Sequence, residues 1–331
     1  MKTNFKMTGL LFIGIMTMTA CSSDDNGNQV SDMPPSSQEY KALSEEALNN
    51  RTQHFTMVAE NGSATFTSSK GVKITINGNC LTLNGNPVTG NVDIAFIEVF
   101  DKGSMLATNK PTSGRMGNGN LELLISGGEF YVNATKNGQQ LATTCNILLE
   151  VPTNLTGGAD LGMQLFNGFI DDNGNLEWRA NNANPAGGGG VDVGQGGTGG
   201  GSNYYVSFGN FGWTNVDKFY SDPRPKTTIL VDAPEGYDFD NSAIYLSYDG
   251  EGQNALAKMD TYTAAGLFSE HYGQIPIGLA CHIIFVTEEN GQFRYGIKGV
   301  TTTANAVYSF TLAETTLGTE AQLVAAINAI Q

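Results

Sequence analysis

Histidine, tryptophan and positive charge are all scarce in this chain of 331 residues. It carries 3 His, 2 Trp and 17 Lys+Arg against 32 Asp+Glu, a formal net charge of -15. That balance argues against a nucleic-acid partner, because such a binder must present a basic face that displaces counterions from phosphate. Three histidines and 4 cysteines leave little for a transition-metal centre. Cys281 and His282 are adjacent, and on a strand they would point to opposite faces. There is no Gly-x-Ser-x-Gly elbow, and no Ser-x-x-Lys with its companion motifs. Carboxylates are so many that no pair is singled out for glycoside hydrolysis. No motif calls for a metal or a cofactor. Catalysis is left open, with a non-catalytic role favoured.

What is present begins with an address. Lys2 and Lys6 precede an apolar run from Gly9 to Met18, too short to span a bilayer as a mature helix. Thr19 and Ala20 then lead into Cys21. This order resembles the bacterial lipoprotein signal, with Met18 where Leu is usual. The resemblance implies that residues 1–20 are removed and that Cys21 becomes the lipidated first residue. Ser22, Ser23, Asp24 and Asp25 follow directly. An acidic run there resembles the export signal of surface lipoproteins of Bacteroidota. It implies an outer-membrane protein, palmitate-anchored and facing the cell exterior. Residues 21–51 read as a polar tether, with a short helix within 39–50 that Leu43 and Leu48 anchor only sparsely.

Composition breaks again at residues 183–202, which are half glycine. This stretch reads as a flexible linker between a domain at 52–182 and another at 203–331. It contains Gly194, Gly196 and Gly199 at dinucleotide-fingerprint spacing, but no apolar strand precedes them and no helix follows. Both flanking segments carry short runs of β-branched and aromatic residues, among them Val92 to Phe100, Ile147 to Val151, Ile244 to Tyr248 and His282 to Val286. In Val92 to Phe100 the alternation gives way, and both faces become apolar toward the end, as in a strand covered on both sides. Asn-Gly pairs at 84–85, 137–138 and 290–291 supply the positive φ of tight turns. Thr319 can cap a closing helix whose Leu323, Ala326, Ile327 and Ile330 form one stripe. The expected fold is therefore mainly all-β: two β-sandwich-like domains, the second with a C-terminal helix.

Residues 84–112 and 124–141 resemble a recurring β-sandwich module of the same surface lipoproteins. In it a long strand follows a turn such as Asn86-Pro87-Val88-Thr89-Gly90, and a turn such as Ser126-Gly127-Gly128 leads into the next strand. The resemblance implies an extracellular Ig-like or related sandwich, and it carries no catalytic residue and no ligand.

Three constellations remain. Phe211, Trp213 and Tyr220, with Tyr272 further on, are aromatics that would suit a sugar face if exposed and the core of the second domain if not. Asp171 to Asn175, and Asp238, Asp240 and Asn241 with Asp249 and Glu251, resemble cation loops, but plain turns explain them without a metal. Cys80 and Cys145 are the one pair available within a domain. A bond between them would be worth roughly 4 kcal/mol by the chain-entropy account, and two free buried thiols are the alternative. The expectation for function is a surface-anchored binding or assembly module. Its partners would be the membrane, through the lipid, and a glycan or another surface protein. The alternatives are a glycan-active hydrolase with its site after the linker, or a structural subunit of a surface complex.

Overall fold

In the computed structural model, which describes residues 33–170, 176–181, 190–194, 201–270 and 273–331, the first element is a helix. Cys21, Ser22, Ser23, Asp24, Asp25, Asp171 to Asn175 and Tyr272 lie outside the described residues. Ser36 opens helix α1 (Ser37–Arg51) through a capping box: its hydroxyl accepts from the Glu39 amide, and the Glu39 carboxylate accepts from the Ser36 amide. Leu43 and Ala47, four apart on one face, are both buried. Arg51 closes the helix with an ion pair to Glu320, far along the chain. The tether expected over 21–51 therefore ends earlier, because the small Ala47 lets the helix approach closely enough to dock.

Two sheets form the N-terminal body. Their strands are β1 (Gln53–Val58), β2 (Ser63–Thr67), β3 (Lys73–Asn77), β4 (Asn91–Val99), β5 (Ser113–Arg115), β6 (Leu121–Lys136), β7 (Ile147–Pro152), β8 (Gln164–Ile170), β9 (Leu176–Ala180), β10 (Gly190–Val193), β11 (Asn203–Phe208) and β12 (Gly212–Phe219). A short helix, α2 (Lys102–Ala107), follows β4 and is capped by the Asp101 carboxylate. One sheet runs β1-β4-β6-β12-β8-β9-β5, and β5 pairs back onto β6, so its far part closes into a ring. The other runs β10-β11-β7-β3-β2. Between them lie Ile74, Ile94, Phe96, Phe130, Val132, Leu149, Tyr204 and Val216, buried as the inward positions of alternating strands. Cys80 and Cys145 are bonded, with Cα atoms 5.6 Å apart. Of the two states open to that pair, the disulfide is the one present.

Strand β6 corrects one expectation. Ser126-Gly127-Gly128 is not a turn, and the strand runs through it. A Cβ on Gly128 would sit 2.6 Å from the rings of Phe100 and Phe130, and its φ of +131° is one that side chains rarely adopt. Glycine is needed there for close packing, not for a change of direction.

The domain boundary is also corrected. The glycine-rich stretch joins neighbours in one sheet: β10 and β11, on either side of residues 195–200, pair antiparallel. Beyond it β11 pairs with β7, and β12 inserts between β6 and β8. Glycine content marks a connection, and whether that connection joins domains or adjacent strands depends on where the next apolar strand packs. Tyr204, Val206 and Phe208 face the first core.

The C-terminal sheet contains β14 (Ser242–Tyr248), β15 (Ala280–Glu289) and β16 (Gln292–Thr301), with short strands at its edges. Every position of β14 is buried, because both faces are covered. Ala243, Tyr245, Ile284 and Val286 meet α1, α2 and the closing helix α3 (Glu320–Asn328). Ile244, Leu246, Ile283 and Phe285 meet a small sheet built around β13 (Leu230–Asp232). Two of the three helices in that layer come from before residue 108, so the C-terminal part does not build its core alone. Met33–Gln331 form one unit. The architecture is mainly β, as expected.

Candidate functional site

The aromatic candidates do not form one strip. Trp213 packs between Tyr131 and Trp178, at ring centroids 5.3 and 6.5 Å, with the Lys110 ammonium 5.4 Å from its ring. Phe211 is half-buried against the sandwich core. Tyr220 belongs to a different core and meets Tyr248 edge-on at 5.4 Å. The Asp238 patch is a turn that satisfies itself: Asp238 Oδ1 accepts from the Asp240 amide, and Asn241 Oδ1 accepts from the Asp238 amide. Asp249 instead meets His282, Oδ1 to Nδ1 at 2.7 Å. Among the described residues no group of three or more His, Cys, Asp or Glu side chains could hold a metal ion.

Three segments converge on a half-open cleft that no local motif announces. The start of β6 supplies Glu122 and Leu123, the end of β14 supplies Leu246 and Tyr248, and Ala257 and Lys258 stand in the wall, while Lys226, in the segment entering β13, lies against Glu122. Asp260 and Glu270 complete the wall. Tyr248 is 6% exposed. Its ring meets that of Tyr220 edge-on. Lys226 Nζ is buried and has no hydrogen-bond partner; its nearest carboxylate is Glu122 at 4.0 Å. Lys226 thus carries unmet hydrogen-bonding capacity, which burial makes costly.

Burial dominates the ionisation of this site. It pushes the Glu122 carboxyl up against the opposing pull of Lys226. Burial likewise pushes the Tyr248 phenol well up, and the Tyr220 phenol up to about 12. Tyr220 donates to Asp222 at 2.9 Å, while the Arg224 guanidinium holds the Asp222 carboxyl well below the usual range. Tyr220 is therefore the one aromatic candidate that lines the cleft. Its hydroxyl is already engaged by Asp222.

A second polar cluster sits inside the body. Glu129 on β6 lies opposite Asn215 on β12, and Asp217 follows across a β-bulge. Both carboxylates are fully buried. Neither Glu129 oxygen, nor Asp217 Oδ1, accepts a hydrogen bond. Ser126 donates to Asn215 Oδ1 at 2.9 Å, and the Asn215 amide donates to Asp217 Oδ2. Burial pushes both carboxyls well up, and the Asp217 charge pushes Glu129 further. The available signal was a lone Glu129 amid the apolar run Phe130 to Val132. No family model matches this sequence, and no curated protein compared with it matches either.

Proposed function

We propose that this protein is a lipid-anchored binding module of a bacterial outer surface, and that the cleft between β6 and β14 is its ligand site. The anchor rests on the order of Lys2, Lys6, the apolar run, Cys21 and the acidic residues behind it. The binding role rests on one observation: Lys226 Nζ, buried and without a hydrogen-bond partner, lies 4.0 Å from Glu122 in the wall of the cleft. A folded protein gains nothing from keeping such a group unless something else meets it. A thermal-shift screen of small polar compounds on the wild type and Lys226→Met tests this. A ligand at 100 times its Kd stabilises by about 2.7 kcal/mol. Compounds that raise the wild-type melting temperature and leave the variant unmoved are expected. Identical responses of the two proteins across the whole screen refute the binding role.

A hydrolase reading draws on the same place. Glu122, raised by burial beside Asp260 and Glu270, has the character of a general acid. Release of reducing ends from a polysaccharide, lost in Glu122→Gln, would select it over binding alone.

A further inference from the structure

We infer that the protein carries a second binding site, separate from the cleft, in a notch at the edge of β6, and that this site takes an uncharged sugar ring. The notch arises because two segments share one edge of the strand. Strand β12 covers that edge as far as Val132, which lies opposite Gly212. From Ala134 onward the chain's own return covers it: the Leu141 amide donates to the Ala134 carbonyl at 3.0 Å, and Gln140 lies opposite Thr135. Asn133 stands at the junction, and on its other side it pairs with Ala95. The loop entering β12 supplies Asn210 and Phe211, the return supplies Gln140, and β6 supplies Tyr131 and Asn133. The space between them is about 310 Å³. That is the volume of about ten waters and suits one six-membered ring with its hydroxyls.

The lining selects the class of ligand. Among the described residues that line the notch none is charged, in a chain of net charge -15. An ionised ligand would lose water there and meet no counter-charge. Asn210 is exposed and Asn133 half-buried, so each amide offers a ligand both a donor and an acceptor. Gln140 spends its amide hydrogens on the Ala134 and Leu141 carbonyls, which leaves its oxygen to accept. Tyr131 and Phe211, both half-buried, bring aromatic surface for the C–H face of a ring. A purely apolar ligand would strand the amides. A peptide strand has no edge to join, because β6 is paired on both sides of the junction. The walls are fixed before a ligand arrives. The disulfide of Cys80 and Cys145 ties down the return, and the Thr144 amide donates to the Cys80 carbonyl at 3.0 Å. Trp213 backs Tyr131 at a centroid distance of 5.3 Å, and Phe211 packs on the sandwich core. Rigid walls spare the complex the cost of ordering them.

The experiment is saturation-transfer NMR on the full chain with the methyl glycosides of glucose, galactose, mannose and N-acetylglucosamine. The methyl glycosides of glucuronic acid and glucosamine serve as charged probes, and N-acetylglycine methylamide as a peptide probe. At least one neutral glycoside should bind, and the charged pair should not. Asn210→Ala should weaken binding roughly fivefold, the loss expected for one hydrogen bond. Ala142→Trp, which fills the notch from an exposed position, should abolish it. Both positions are exposed, so both variants should melt with wild type. Lys226→Met, at the cleft, should leave glycoside binding unchanged, since the two sites share no residue. A glycoside that binds Asn210→Ala and Ala142→Trp as well as wild type would overturn the site. If Lys226→Met alone abolishes its binding, the sugar belongs to the cleft and the notch is empty of function. Charged sugars or the peptide probe binding as well as the neutral glycosides would overturn the ligand class. Silence from every probe would overturn the inference and leave the cleft to its own screen.

Discussion

Glu129 holds a carboxyl where neither oxygen is met, and a single substitution reads out the cost. Its folded pKa is raised above the unfolded value of about 4.3, so the proton is held more tightly in the fold. Stability from such a group is fully present below the unfolded value and is lost as pH rises toward the folded one. Glu129→Gln, which cannot ionise, should therefore match wild type near pH 4 and exceed it by about 1–3 kcal/mol at pH 7. Urea melts at the two pH values check this, and a variant that is less stable at both would show that the carboxylate is ionised and partnered. Single residues were only partly legible in the sequence. Asn84, Asn137 and Asn290 do take the positive φ that their Asn-Gly pairs implied. Cys80 and Cys145 were found as a pair because few cysteines compete. Glu122, Lys226 and Tyr248 were not found, since each sits in a separate segment and is ordinary in its own neighbourhood.

Among elements, β4 was the most legible and α1 the least. The run Val92 to Phe100 loses its alternation where Phe96 enters the sandwich core while Ile97 and Val99 enter the helical layer. Two cores share one strand, and the sequence displays both. Helix α1 hides its role because Leu43 and Ala47 are a thin stripe, and alanine announces little. Leu43→Ala should cost about 2–3 kcal/mol in urea unfolding and should also lower hydrogen-exchange protection in α3, against which the same core closes. An exposed tether helix would show no change in either. The Ser126-Gly127-Gly128 run misleads for a related reason: glycine serves turns and close contacts alike, and only the rings of Phe100 and Phe130 decide between them.

At the scale of the molecule the chain does not divide at its glycines. A specific protease site placed between residues 195 and 200 should give two fragments that co-elute under native conditions and part only in denaturant, because β11, β12, α1 and α2 cross between the halves. Two separately folded fragments would restore the reading of independent domains. Cys21→Ala should move the protein from the membrane to the soluble fraction, since the proposed lipid is what would hold it there. A variant that still sediments with membranes would end the lipoprotein proposal. The mainly β class was legible from strand-length runs and turn pairs. The shared helical layer was not, because its first and last helices lie more than 250 residues apart and no local pattern links them.

That separation gives the chain a timetable. Arg51 waits for Glu320, 269 positions later. A chain synthesised from its N-terminus makes α1 early and completes its seat last. Until α3 emerges, Leu43 and Ala47 have only part of the surface that will hold them. A message cut short anywhere before residue 320 would yield a protein that cannot finish this closure and leaves the buried face of its first helix open to whatever surveys newly made chains. The first helix thus certifies that the last one has arrived.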